Sequence, residues 1–170
     1  MPNFHMMIGI PASGKSTIED KLLNTHSSRT VSTDNIISAV AKATNTTYDE
    51  MHPHVIDFAS KLEMHMLKHH IAKGHDVICD QTNLTKKSRA RKIAVVPKHY
   101  YKVAHVVHTP PKEEHERRLA SREGKTIPKN VLENMKASYQ APTHEEGFHE
   151  INHYDHAGKL ISTSKQLNHK

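Results

Sequence analysis

The stretch that most constrains this chain runs from Gly9 to Thr17 and reads Gly-Ile-Pro-Ala-Ser-Gly-Lys-Ser-Thr. It matches G-x-x-x-x-G-K-[ST] in full, the pattern of a loop that cradles phosphate groups. Gly9 and Gly14 are expected to take positive φ and to let the backbone approach a ligand where a Cβ would intrude. Successive N–H groups, that of Ser13 among them, then form a nest for phosphate oxygens. Lys15 is placed to bridge the β- and γ-phosphates, and the Ser16 hydroxyl to hold Mg²⁺, with Thr17 closing the motif. Upstream, Phe4 to Ile8 reads as a short, mostly apolar strand; downstream, Ile18, Leu22 and Leu23 recur at helical spacing from Thr17 to Asn24. Strand, glycine loop, helix is the order the motif requires, because the helix N-terminus turns its unpaired N–H groups toward the same anion. The stretch implies a nucleoside-triphosphate site.

Such a loop belongs to an α/β framework, and 170 residues suffice to bury one core, so residues 1–170 are read as a single domain. Hydrophobic residues make up 35% and aromatics 5%, which predicts a lean, mainly aliphatic core. Lys and Arg number 24 against 18 Asp and Glu, for a net charge of +6 with neutral histidine. That balance favours a polyanionic partner, although nucleotide phosphates account for part of it. The single cysteine, Cys79, excludes a disulfide within the chain and reads as a buried, inert thiol. No apolar stretch approaches the length of a membrane span, and the first residues lack a basic-then-apolar signal pattern. A cytoplasmic protein without membrane contact is the expectation.

Past the first helix, Arg29 to Ser32 forms a plausible second strand ending at Thr33-Asp34-Asn35, with Ile36, Ile37, Val40 and Ala41 then at helical spacing. Thr33 or Asp34 is a candidate N-cap. Asp34 is equally a candidate general base, a carboxylate at a strand's C-terminal end beside the phosphate loop. A long helix is predicted from about Pro53 to Lys73, with Gly74 at its C-terminal cap. His65 and His69 lie four apart on it, but a pair without a third ligand is weak evidence for a metal. His75 to Asp80 is the best strand, and the acid at its end, Asp80, is placed to act on the Mg²⁺ shell or to orient the loop. Thr85 then caps a basic helix, Lys86 to Ile93, whose charges are either a solvated face or a phosphate-backbone contact.

Tyr101 to His108 reads as another strand, followed by a charged helix from Lys112 to Glu123 and a helix begun by Pro128. Arg118 and Arg122, four apart, are expected to project from one helix face. This Arg-rich hairpin reads as too polar for a core, and about 112–128 is read as a mobile lid carrying positive charge to a transferring phosphate. His149-Glu150-Ile151-Asn152-His153 satisfies H-E-x-x-H, yet no helical stripe accompanies it. About 148–163 is read as a strand and turn, without zinc. The last residues, from Gln166, are expected to fray.

Taken in order, the motifs resemble the kinase domain of the bacteriophage polynucleotide 5′-hydroxyl kinase family and its small phosphate-loop relatives. Four segments carry the resemblance: Gly9–Thr17, Ser-Thr-Asp at Ser32–Asp34, Asp-Gln-Thr-Asn-Leu at Asp80–Leu84, and Arg-Glu-Gly-Lys-Thr-Ile-Pro at Arg122–Pro128. The resemblance implies a parallel sheet of about five strands, flanked by helices and covered by an Arg-rich helical lid. It implies ATP and Mg²⁺ as cofactors, Asp34 as general base, and Arg118 and Arg122 as lid arginines on the donor phosphates. One departure stands out: the family typically carries an arginine three residues after the catalytic aspartate, where this chain has Ile37. No phosphatase domain is expected, since no second acidic motif follows.

The activity so implied is transfer of the ATP γ-phosphate to a hydroxyl of a nucleic acid, DNA in the first instance, with a homo-oligomer as one form of assembly. Alternatives are phosphorylation of a hydroxymethyl group on a modified base in phage DNA, a nucleoside or small-metabolite kinase, and a nucleotide-hydrolysing switch or motor subunit.

Overall fold

The computed structural model describes residues 1–25 and 27–167. Its centre is a six-stranded sheet in the order β2-β3-β1-β4-β5-β6, formed by β1 (Asn3–Ile8), β2 (Arg29–Val31), β3 (Val77–Asp80), β4 (Tyr101–Val107), β5 (Glu150–Tyr154) and β6 (Leu160–Lys165). The first five pair in parallel, and β6 returns antiparallel along β5. Helices cover both faces of the parallel part, which is why its strands are apolar on both sides. From β1, Phe4, Met6 and Ile8 enter one cluster with Leu67, Tyr100 and Phe148, while Met7 faces Ile18, Ile78 and Val107 on the other. The phosphate loop leaves β1 between β3 and β4, at the crevice where open α/β sheets bind ligands.

The helices are α1 (Lys15–Thr25), α2 (Thr33–Ala43), α3 (Tyr48–Ala72), α4 (Lys86–Ile93), α5 (Lys112–Ala120) and α6 (Lys129–Ser138). Several depart from expectation for local reasons. Ser32, not Thr33 or Asp34, caps α2, its Oγ accepting from Asn35 N at 3.3 Å. Asp34 is thereby left to face outward from the first turn. Helix α3 begins five residues ahead of Pro53, because Thr47 and Glu50 form a complete capping box that starts the helix before the proline. At its far end Gly74 sits at φ +71°, just past the cap.

Helix α5 stops at Ala120, so Arg122 lies in the following turn and does not share a helix face with Arg118. Nor is the hairpin all polar: Leu119, Ile127, Leu132 and Met135 pack on Ile10 and Leu84, a small apolar cluster that seats it beside the phosphate loop. Helix α4 is a second correction. Of its five basic residues, Arg89 and Lys92 are buried. Arg89 pairs with Glu146 at 2.7 Å and donates to the carbonyls of Asn83 and Leu84, while Lys92 bonds Asn83 Oδ1 at 2.7 Å. These two hold the loop after β3, and only Lys86, Lys87 and Arg91 present a solvated face.

Near the C-terminus His149 precedes β5 and His153 lies within it, so H-E-x-x-H falls on a strand. His149 Nδ1 accepts from Lys102 N and His153 Nδ1 meets His108 Nε2, both at 3.0 Å. Gln166 N donates to His149 O at 2.8 Å and is not frayed; residues 168–170 lie outside the described residues. His65 and His69 are exposed on α3. Among the described residues no helix is long and apolar enough to cross a membrane.

Candidate active site

The phosphate loop departs from the expected use of its glycines. Positive φ falls on Ala12 (60°) and Gly14 (107°), and Gly9 has none. Gly9 is needed for space: a Cβ there would stand 2.9 Å from both Ser13 Oγ and the Val107 carbonyl oxygen. A Cβ on Gly14 would meet the His156 carbonyl oxygen at 3.0 Å. Ser13 is buried, and its Oγ has no hydrogen-bond partner among the described residues. Ser16 and Thr17 are exposed in the first turn of α1.

A cavity of about 500 Å³ opens over this loop, and Lys15, Ser16, Asp34, Asp80, Arg122 and Lys125 converge on it. One wall is the face of α3 that presents Tyr48, His52, Ile56 and Ser60, each four residues from the last. Gly14 also lines the cavity; Gly9, Ser13, Thr17 and Arg118 do not.

Lys15 Nζ donates to the carbonyls of Gly9 (2.7 Å) and Ile10 (3.1 Å). Burial pushes its pKa down to about 8, against the pull of the Asp80 and Asp34 carboxylates. A desolvated ammonium ringed by carbonyl dipoles is poised to exchange them for phosphate oxygens. Arg122 is similarly unspent, since its buried Nη1 has no hydrogen-bond partner among the described residues. Arg118 is instead engaged behind the loop, donating to Glu114 Oε1 at 2.8 Å and to the His156 carbonyl at 3.0 Å.

Asp34 has both carboxylate oxygens occupied. Tyr48 OH donates to Oδ1 at 2.7 Å and Lys125 Nζ to Oδ2 at 2.6 Å. Burial raises its pKa, but the bonds from Lys125 and Tyr48 outweigh that and leave it below the usual carboxylate range. Asp80, at the end of β3, is shifted the other way by burial, with Lys15 opposing. Glu19 accepts from the Thr30 hydroxyl at 2.8 Å, and burial followed by the neighbouring Asp80 pushes its pKa up to about 7.

The Ser16 hydroxyl and the Asp80 carboxylate, both lining the cavity, are hard oxygen donors of the kind that suits Mg²⁺. Among the described residues no group of three or more His, Cys, Asp or Glu is placed to hold a metal. Mg²⁺, which keeps waters and phosphate oxygens in its shell, needs no such cage. Cys79 is buried, with its thiol pushed up to about 12 by burial, as an inert thiol should be.

Lys125, Tyr48 and Glu19 carried no expectation from the sequence. Lys125 lies inside the Arg122–Pro128 segment, and Glu19 stands one helical turn after Lys15, so both were adjacent to recognised signals. Tyr48 had none, because only the packing of α2 on α3 brings it to Asp34.

Residues 4–142 match the model of a protein family described as an AAA domain. No curated protein matches the chain. Among solved structures the chain is similar to one from the PezAT chromosomal toxin-antitoxin system of Streptococcus pneumoniae. That match has a TM-score of 0.68 at 16% identity, over 98% of this chain and 72% of the other. A structure from the Pnkp1/Rnl/Hen1 RNA repair complex matches at TM-score 0.65 and 20% identity, over 99% of this chain and 50% of that one, so this chain spans half its length. A sugar kinase from Janibacter sp. HTCC2649 matches at TM-score 0.60 and 18% identity, over 92% and 87% of the two chains. At these identities the likeness is one of fold, a P-loop kinase-like α/β architecture.

Proposed function

Since this chain belongs to the AAA domain family, we propose that it is an ATP-dependent phosphotransferase whose acceptor is a hydroxyl of a nucleic acid. One observation carries the reading: Lys15, Ser16 and Arg122 converge with a carboxylate, Asp34, on a single cavity over the phosphate loop. Phosphate-binding groups alone would serve a hydrolysing switch as well. A carboxylate that lines the same cavity of about 500 Å³ suits a bound acceptor alcohol.

In this mechanism the loop N–H groups and Lys15 hold the triphosphate, and Arg122 supplies positive charge where negative charge spreads over the equatorial oxygens. Ser16 and Asp80 are the residues that would hold Mg²⁺, which when bound neutralises phosphate charge. Asp34 accepts the proton of the acceptor hydroxyl as its oxygen forms a bond to the γ-phosphorus. The bond from that phosphorus to the β–γ bridging oxygen breaks, leaving ADP and a phosphomonoester. Arg118 takes a supporting part, anchoring the lid to the turn between β5 and β6.

The acceptor class rests on the basic balance of the chain and on the match with a structure from an RNA repair complex. A second reading, phosphorylation of a hydroxymethyl group on a base within DNA, is favoured by Ile37. That residue is fully buried on the inner face of α2, so α2 has no cation there to grip a strand end.

The test is transfer from γ-labelled ATP to 5′-hydroxyl DNA and RNA oligomers, hydroxymethyl-base DNA with blocked ends, and free nucleosides. Label on the 5′-hydroxyl oligomers supports the first reading, and label on end-blocked modified DNA alone supports the second. Hydrolysis of ATP with no labelled acceptor would overturn both.

A further inference from the structure

Within the phosphate loop one residue holds a conformation that its side chain disfavours. Ala12 has φ 60°, in the left-handed region that costs a non-glycine residue roughly tenfold in population. Turning the Pro11–Ala12 peptide over would return Ala12 to a φ of about −120°, an ordinary extended value. Pro11 does not prevent this, because its ring fixes its own φ and leaves ψ free. The peptide therefore needs a hold from outside these two residues.

Helix α5 supplies one. His115 Nε2 lies 2.9 Å from the Pro11 carbonyl oxygen. A carbonyl only accepts, so Nε2 carries the proton and donates it to this bond. His115 is 2% exposed and lines the groove between α5 and α6 rather than the cavity. Its backbone is set by the first turn of α5, where His115 N donates to the Pro111 carbonyl at 2.9 Å. One turn on, Leu119 packs with Ile10 and Leu84, which seats the helix against the loop. The two preceding carbonyls are turned elsewhere, those of Gly9 and Ile10 accepting from Lys15 Nζ.

In a trans peptide the C=O and N–H point in opposite directions. A Pro11 carbonyl fixed on α5 therefore aims the Ala12 N–H away from α5, and Pro11 and Ala12 both line the cavity. Resting on the reading of this loop as a nucleotide site, we infer that His115 is a positioning residue. It holds the strained Pro11–Ala12 peptide with its N–H turned to the phosphates. With the peptide reversed, a carbonyl dipole would face those anions where a donor is needed. His115 acts through Pro11 and Ala12 and needs no contact with ATP or acceptor.

The test measures Mg·ATP binding by titration calorimetry, and transfer kinetics, in the full chain and in H115F, H115Q, A12G and H115F/A12G. Phenylalanine keeps a buried ring but removes the donor, whereas the Gln side-chain amide supplies an N–H again. H115F is expected to weaken Mg·ATP ~10- to 30-fold, the range for a buried carbonyl left without its donor. Its kcat at saturating ATP and its KM for a 5′-hydroxyl oligonucleotide should stay within about 3-fold of wild type. H115Q should restore most of the affinity. A12G removes the left-handed penalty, so it should recover most of the loss in H115F and change wild type far less. Unchanged ATP affinity in H115F, equal weakening in H115F and H115Q, or a parallel loss in KM for the acceptor would overturn the assignment. Should H115F not fold, NMR of the wild type decides. The neutral His115 ring must show the Nε2–H tautomer, and Mg·ADP must move the Ala12 amide resonance downfield; the other tautomer or an unmoved amide would overturn it. Mg·ATP binding that does not depend on His115 leaves the nucleotide site standing, while a wild type that binds no Mg·ATP overturns both readings together.

Discussion

Arg118 donates through Nη2 to the carbonyl oxygen of His156 at 3.0 Å, tying helix α5 to the turn between β5 and β6 behind the phosphate loop. Its other bond, to Glu114, is made within α5 itself. Arg122, one turn further along the chain, lines the cavity with its buried Nη1 unpartnered among the described residues. Two arginines that look equivalent in sequence are therefore in different employment.

Replacing each separately should expose this. Arg122→Ala is expected to lower kcat by ~10³-fold, as for an arginine that meets transition-state charge. Arg118→Ala should lower kcat by about 10-fold or less and act mainly through KM for ATP, because it removes an anchor. Steady-state kinetics on both variants decide it; equal kcat losses would return Arg118 to the phosphates.

Asp34→Asn should reduce kcat by ~10²- to 10⁴-fold while ATP affinity, read by titration calorimetry, stays nearly unchanged. The pH profile of kcat/KM offers a finer check. Tyr48 and Lys125 hold the Asp34 carboxylate in its charged form, with Arg122 adding to them, burial opposing, and Lys15 and Asp80 close by. Wild type should thus keep an ionised base to pH values below the ordinary carboxylate range. Tyr48→Phe removes one donor, so the acid limb should move to higher pH; an unmoved limb would assign that limb to another group.

In the sheet, His105 is buried between His5 Nδ1, 3.0 Å from its Nε2, and Tyr154 OH, 2.9 Å from its Nδ1. Burial, with His5 adding to it, pushes its pKa down to about 3. The unfolded chain takes up a proton near pH ~6.5 that the native state refuses. Stability contributed by the neutral ring is therefore complete above that pH and is lost as pH falls from ~6.5 toward 3, by at most ~1.4 kcal/mol per pH unit. Urea midpoints at a series of pH values should fall across this window, and His105→Gln should flatten the fall. Parallel curves for the two proteins would clear His105 of the effect.

On α4, the charge run separates into buried and solvated members. Glu146→Ala strips the buried Arg89 of its ion pair and should cost about 3–5 kcal/mol in urea unfolding. Lys87→Ala, on the exposed side, should stay within about 0.5 kcal/mol. A mild effect at Glu146 would mean that the Asn83 and Leu84 carbonyls satisfy Arg89 by themselves.

Local rules made much of this molecule legible in the sequence. The strand-loop-helix at Gly9–Thr17, the strand ending in Asp80, Thr85 as the cap of α4 and Gly74 past the end of α3 all follow from spacing and backbone preference. Each depends on residues within one or two turns of each other. The α/β class followed from them, because a phosphate loop leaving an apolar strand needs a parallel sheet to sit on. Where a second local signal competed, the reading slipped: Pro53 hid the capping box of Thr47 and Glu50, and Ser32 displaced Asp34 as cap.

What the tertiary structure alone decided is which charges meet. Nothing within a few residues of Tyr48 or Lys125 points to Asp34, which is 14 and 91 residues away in the chain. The packing of α2 on α3, and the docking of the Gly124–Thr126 turn on Asp49, create that cluster. The same holds for Arg89 and Lys92, whose pattern matched a solvated helix until Glu146, 57 residues on, and Asn83 gave them buried partners. Sequence periodicity reports the face a residue occupies on its own element. Whether that face meets solvent, an ion pair or a charged side chain from elsewhere is a matter of distance in space, decided here by how the helices pack on the sheet and on one another.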